Sequence, residues 1–104
     1  MAAVVVVATI RPRPGHRTEV IAALEKAIAE THANDAGCLL YALHEGEDRL
    51  VMIEKWASAD ALAAHSRGAA LAELTQALDG RTEGPLDVQI LQPHPAGTAT
   101  QGAL

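Results

Sequence analysis

The residues of this 104-residue chain best suited to chemistry beyond charge pairing are few: five histidines (His16, His32, His44, His65 and His94), Cys38, Trp56 and Tyr41. No two histidines stand three or four residues apart, so no helix would present a histidine pair to a metal. There is no H-E-x-x-H, C-x-x-C, G-x-G-x-x-G or phosphate-binding P-loop sequence, and neither a metal nor a bound cofactor is expected. The acidic run Glu45, Glu47, Asp48 lacks the ligand spacing of a calcium loop and reads as a solvated turn. Cys38 has no cysteine to pair with and no neighbouring His or Lys to activate it, so it reads as a small packed residue. One juxtaposition is left. Trp56 ends an apolar segment, and His65, nine residues on, stands three after Leu62 on the stripe of the next one. An imidazole titrates near pH 6.5 and can exchange protons at cellular pH. His65 can therefore line a cavity as a proton acceptor, or be a satisfied core histidine. The short residues around it (Ala59, Ala61, Ala63, Ala64) either leave room for a ligand or allow close helix–sheet packing.

The elements that must position these residues follow from periodicity. Residues 4–10 are short and β-branched, which predicts a buried strand ended by Pro12 and Pro14. Residues 16–32 repeat Val20, Ile21, Leu24 and Ile28 at helical spacing, with charges on the other faces, and Asn34-Asp35-Ala36-Gly37 stops the helix. Residues 38–44 and 49–56 predict two strands whose short acidic connection requires an antiparallel hairpin. Ser58 is a candidate N-cap for a helix over 59–66, which Arg67-Gly68 interrupts before a second piece over 69–78. Gly84-Pro85 precedes a last strand over 86–91. The order is β-α-β-β-α-β, a ferredoxin-like α+β arrangement with an antiparallel sheet. Residues 1–93 make one domain, and residues 94–104, rich in Ala, Gly, Thr and Pro, read as a flexible C-terminal tail.

Composition narrows the function classes. The core must be aliphatic, since 24 Val, Leu and Ile residues and 22 Ala stand against two aromatics. Two aromatic residues cannot build a stacking platform for single-stranded nucleic acid, and a net charge of −5 opposes both phosphate tracking and docking on an anionic membrane. No apolar run approaches the roughly 20 residues of a membrane span, nothing basic precedes the apolar opening, and no internal disulfide is possible; a cytoplasmic protein is expected.

Strand alternation adds a partner. On 4–10, Val4, Val6, Ala8 and Ile10 share one face while Val5, Val7 and Thr9 share the other; on 49–56, Leu50, Met52, Glu54 and Trp56 oppose Val51 and Ile53. Both faces are apolar, yet the helices suffice for one. Each aliphatic side chain left in water would forfeit about 1.5–3 kcal/mol. A homodimer with two sheets packed face to face is therefore expected. Tyr41 alternates with Leu40 and Ala42, which would set it on the dimer side.

Three segments in order, Gly37-Cys38-Leu39-Leu40-Tyr41-Ala42-Leu43-His44, Ile53-Glu54-Lys55-Trp56-Ala57-Ser58 and Ala61-Leu62-Ala63-Ala64-His65, resemble the antibiotic biosynthesis monooxygenase family, and Arg11-Pro12-Arg13-Pro14-Gly15 after the first strand also fits. The resemblance spans about residues 3–93. It implies a dimeric α+β barrel and a class that includes quinol and polyphenol monooxygenases working without flavin, haem or metal. In such chemistry a small dihydroxyaromatic loses a proton, passes an electron to O₂ and recombines with it. On that reading His65 handles the proton and Trp56 walls the pocket, with its N–H directed at a substrate oxygen. Tyr41 and His44 match the family pattern and, with Met52, Leu62 and Glu54, are candidate substrate-pocket residues; Glu54 either orients a histidine or pairs with a lysine. Met52, Leu62 and Gln76 stand where aromatic-polyketide relatives hold substrate with polar residues, which departs from that substrate class. Ala8, His65 and Thr75 stand where haem-degrading relatives use Asn, Trp and a His ligand, which disfavours haem. A non-catalytic small-molecule-binding or stress-related homodimer of the same fold is the alternative.

Overall fold

The computed structural model describes residues 2–104. Seven elements follow in order: β1 (Val4–Ile10), α1 (Arg17–Asn34), β2 (Cys38–Glu45), β3 (Leu50–Trp56), α2 (Ala59–Ser66), α3 (Ala69–Leu78) and β4 (Asp87–Leu91). The strands form one antiparallel sheet ordered β2-β3-β1-β4, the ferredoxin-like arrangement expected from the sequence, with the second helix in two pieces. The β2–β3 hairpin closes through Gly46 N–H to the Arg49 carbonyl at 2.8 Å. Among the described residues no helix is long and apolar enough to cross a membrane.

Each helix is set by identifiable local chemistry. α1 buries Val20, Leu24, Ala27 and Thr31, four positions spaced by three or four residues, so that one stripe faces the sheet. The Ser58 hydroxyl accepts from the Ala61 N–H at 3.1 Å and caps α2 as expected. α2 ends where the Arg67 and Gly68 N–H groups turn back onto the carbonyls of Ala64 and His65, and α3 restarts from Gly68.

The core lies between helices and sheet. Val6, Ala8 and Ile10 on β1 and Leu50, Met52 and Trp56 on β3 are buried on the helix side, against Val20 and Leu24 of α1 and Leu74 and Leu78 of α3. The helices do not reach the outermost strand. Val88 and Ile90, which pair with Ala8 and Val6 on that same side, remain 52% and 64% exposed. The opposite sheet face carries no helix. Register places Leu40, Lys55, Val5 and Leu91 in one row across it, and Ala42, Ile53, Val7 and Gln89 in the next. Val5, Val7 and Ile53 on the two central strands of this face are the apolar residues its alternation placed there, with Lys55 among them.

Alternation alone misplaces Tyr41. Between Cys38 and Leu40 the β2–β3 register slips by one residue, a bulge that makes Leu39 an extra residue in β2. Cys38 pairs with Trp56, but Leu40 pairs with Lys55 and Tyr41 with Glu54. Without the bulge Tyr41 would face away from the helices; with it, the ring is buried on the helix side. The segment after Leu91 contains no helix or strand: a turn runs over residues 98–102, and Lys55 Nζ donates to the Leu104 carbonyl at 2.7 Å.

Candidate functional site

A cavity of about 200 Å³ opens between the sheet and the broken second helix. Its floor is Val6, Ala8 and Ile10 of β1, Met52 and Glu54 of β3, and Tyr41 of β2. Leu62, His65 and Ser66 of α2 and Leu71, Leu74 and Thr75 of α3 form the roof, so both helical pieces contribute. Leu24 closes one side, and Leu86 and Val88 the other. The volume is small beside the roughly 300–1,000 Å³ of sites for drug-sized ligands, and somewhat above the roughly 150 Å³ of an apolar cavity that holds benzene. A guest of one or two rings fits that scale.

Polar groups in this cavity are few. No Lys or Arg lines it. The Ser66 and Thr75 hydroxyls donate to the Leu62 and Leu71 carbonyls one turn back, at 3.0 and 2.9 Å. His65, Tyr41 and Glu54 remain. His65 is buried at the end of α2, with its ring stacked at a tilt on Trp56 (centroids 4.5 Å apart, 31° between planes) and edge-on to Tyr41 at 5.2 Å. Its Nδ1 lies 2.7 Å from Oδ2 of Asp35, at the start of the α1–β2 loop. Among the described residues, Nε2 has no hydrogen-bond partner. Burial, and to a lesser degree the nearby Glu54 charge, pushes the Tyr41 phenol well above its ordinary range, so it stays a neutral hydroxyl. Burial also raises the Glu54 carboxyl, while the Trp56 N–H and, to a lesser degree, the neighbouring His65 ring pull it back.

The candidate residues of the sequence reading separate into three groups. His65, Tyr41, Glu54, Met52 and Leu62 converge on the cavity. Trp56 lies behind the site rather than along its wall: it is fully buried under His65, and its indole N–H donates to Glu54 Oε1 at 2.9 Å rather than being free for a ligand. Glu54 therefore orients the tryptophan, neither a histidine nor a lysine. His44 is placed elsewhere. It pairs with Val51 on the open face of the sheet, is exposed, and sits 3.2 Å from the carbonyl of Ala42. Its alternation with Leu43, which pairs with Met52, puts it across the sheet from the cavity.

The sequence marks Asp35 only as part of a helix stop, because its partner is thirty residues away and the contact exists only after folding. The one local signal is Gly37. Its backbone is not in the positive-φ region, so no turn demands glycine there. Packing does: a Cβ at Gly37 would fall under 3.0 Å from the Cβ of Ala61, one turn before His65 on α2. The Gly37 carbonyl also accepts from the Ala57 N–H at 2.9 Å. The loop bearing Asp35 is thus clamped to the helix bearing His65, and at Ala61 a short side chain permits close packing rather than space.

Fold and site together define a ferredoxin-like α+β domain with a small, mostly apolar cavity holding a buried histidine. Residues 3–77 match the family profile of antibiotic biosynthesis monooxygenases, and the chain belongs to that family. Among solved structures it is similar to Rv0793 from Mycobacterium tuberculosis, at 28% identity and a TM-score of 0.83 over 94% of this chain and 99% of that one. It is also similar to a protein of Caulobacter crescentus whose standing as an antibiotic biosynthesis monooxygenase is provisional, at 26% identity and a TM-score of 0.82 over 86% and 88% of the two chains. A conserved protein of Methanosarcina mazei shares the fold, with 24% identity and a TM-score of 0.80 over 88% and 92%. No curated protein matches the chain.

Proposed function

We propose that this protein is a cofactor-independent monooxygenase acting on a small quinol- or polyphenol-like aromatic with O₂. The observation that carries the reading is the convergence of His65, whose Nε2 has no partner among the described residues, one neutral phenol and one buried carboxyl on an otherwise mostly apolar cavity of one- or two-ring size. His65 Nε2 takes the proton of one substrate hydroxyl, and the resulting phenolate is electron-rich enough to reduce O₂ by one electron. The superoxide and the aryloxyl radical so formed combine at a ring carbon to give a peroxide. That peroxide loses water, leaving one oxygen atom on the ring. For a simple quinol the balance is quinol plus O₂ giving hydroxyquinone plus water, with the substrate supplying all four electrons. The chain supplies orientation, a dry enclosure and the proton acceptor. The imidazolium formed is stabilised by the Trp56 face behind it and the Asp35 carboxylate beside it.

The working unit in this proposal is a homodimer joined through the open sheet face. The apolar residues Leu40, Val5 and Leu91 of one row and Ala42, Ile53 and Val7 of the next support it, with Lys55 and Gln89 the polar members of those rows and Asp87 and His44 at the margin of the face. Oxygen uptake with a panel of reduced quinones and polyphenols tests the chemistry. His65→Ala should lower turnover by about 10²–10⁴-fold, the range contributed by a positioned proton acceptor. A variant as active as the parent removes His65 from the mechanism. Saturable binding of the same aromatics with no oxygen uptake by the parent would leave the non-catalytic binding dimer in its place.

A further inference from the structure

We propose that Asp35 is the positioning residue of this site: it holds His65 in the Nδ1–H tautomer and leaves Nε2 as the ring's proton acceptor toward the cavity. A carboxylate accepts hydrogen bonds and donates none, so an Nδ1 atom 2.7 Å from Asp35 Oδ2 carries the proton. In a neutral imidazole the lone pair then resides on Nε2, the nitrogen that has no protein partner among the described residues.

The aspartate is itself fixed. Its N–H donates to the Thr31 carbonyl at 3.0 Å, and its carbonyl accepts from the Cys38 N–H at 3.0 Å. Two residues on, the Gly37 backbone packs against Ala61 of α2. Ala61 and His65 are four residues apart and so share a helix face. The clamp and the hydrogen bond therefore join the same loop to the same side of the same helix. The His65 ring is confined from two further directions, by Trp56 behind it and Tyr41 at its edge. A histidine needed only to fill space on this face would require none of these constraints on which nitrogen is protonated.

The kinetic consequence of this role rests on the oxygenase reading above; the tautomer does not. Nitrogen-15 NMR of the His65 ring in the parent and in Asp35→Asn separates the two. The parent should show the Nδ1–H form. Asp35→Asn keeps the shape but can either donate to or accept from Nδ1, so the preference should fall or reverse. With a quinol that the parent turns over, kcat should drop by about tenfold or more while KM changes little. An Nε2–H tautomer in the parent, or an unchanged tautomer in Asp35→Asn, overturns the role whatever the turnover. A tautomer that responds as expected in a protein consuming no oxygen with any quinol upholds Asp35 and defeats the oxygenase reading alone.

Discussion

Gly37→Ala is the perturbation that reaches the site from outside it. The added methyl would meet the Ala61 methyl at under 3.0 Å, whereas carbon atoms in contact rest about 3.5–4.0 Å apart. The loop must therefore retreat from α2 by more than about 0.5 Å. The Asp35–His65 contact starts at 2.7 Å, and N–H···O bonds run to about 3.2 Å, so that retreat carries it to the long end of the range or beyond. Overpacking of this kind costs about 1–3 kcal/mol. The alanine returns about 0.4–1 kcal/mol by restricting the unfolded chain, because Gly37 is not held at positive φ. A net loss of up to about 2.6 kcal/mol should be read by urea unfolding. It should be accompanied by a change in the His65 ring signals although no atom of the site has been altered. Ala61→Gly in the same chain removes the clash. Alone it should cost at most about 1 kcal/mol, because Ala61 lies in the first turn of α2. Combined with Gly37→Ala it should recover both stability and the His65 signals, with a coupling of about 1 kcal/mol or more. A Gly37→Ala protein with unchanged stability and unchanged His65 signals would refute the clamp, and so would additivity of the two substitutions.

Two further outcomes follow from other parts of the molecule. Val5→Lys or Ile53→Lys adds a second ammonium close to that of Lys55 in the middle of the open sheet face, where burial against a second sheet would leave it unpaired at a cost of several kcal/mol; light scattering should show a monomer, and a stable dimer at low concentration would mean that copies meet through another surface. Glu54 has a folded-state pKa above its ordinary 4.5, so the folded protein binds this proton more readily than the unfolded chain, and stability is lost as pH rises through the raised value. Glu54→Gln keeps an acceptor for the Trp56 N–H and removes the charge, so it should match the parent below about pH 4.5 and exceed it in stability at neutral pH, with a pH-independent difference counting against the burial argument.

Most of the fold was legible because it rests on local signals. The β-branched opening, the capping serine at Ser58 and the Arg67-Gly68 interruption each determine a boundary within a few residues, and β1, α2 and α3 begin and end where their patterns end. The site was legible only where alternation carried it. Met52, Glu54 and Leu62 could be assigned to one face or stripe by counting, and His65 by its distance from Leu62. Tyr41 defeated the count, because one bulged residue at Leu39 inverts every side chain after it and nothing in a run of leucines marks which residue will bulge. His44 was assigned by resemblance, and the alternation from Tyr41 through Leu43 places it on the other side. Asp35 and the direction of the Trp56 N–H depend on contacts between separate elements or on a rotamer, which periodicity does not encode.

The polar residues bear on which function the cavity serves. An apolar container for a small aromatic needs volume and shape, and Leu or Met at positions 54 and 65 would provide both without the desolvation cost of a buried carboxyl and imidazole. This chain places both of those polar groups in the cavity and braces them from behind. Trp56 is oriented by Glu54 and supports the His65 ring; Asp35 holds the far nitrogen of that ring; Gly37 and Ala61 seat the loop that carries Asp35. Every link in that chain of contacts constrains the orientation or protonation of a single nitrogen. Such constraint is idle in a site that only stores its ligand and necessary in one that must accept a proton from it, which favours the oxygenase reading; oxygen uptake, rather than the tautomer by itself, is where the oxygenase and the non-catalytic readings part.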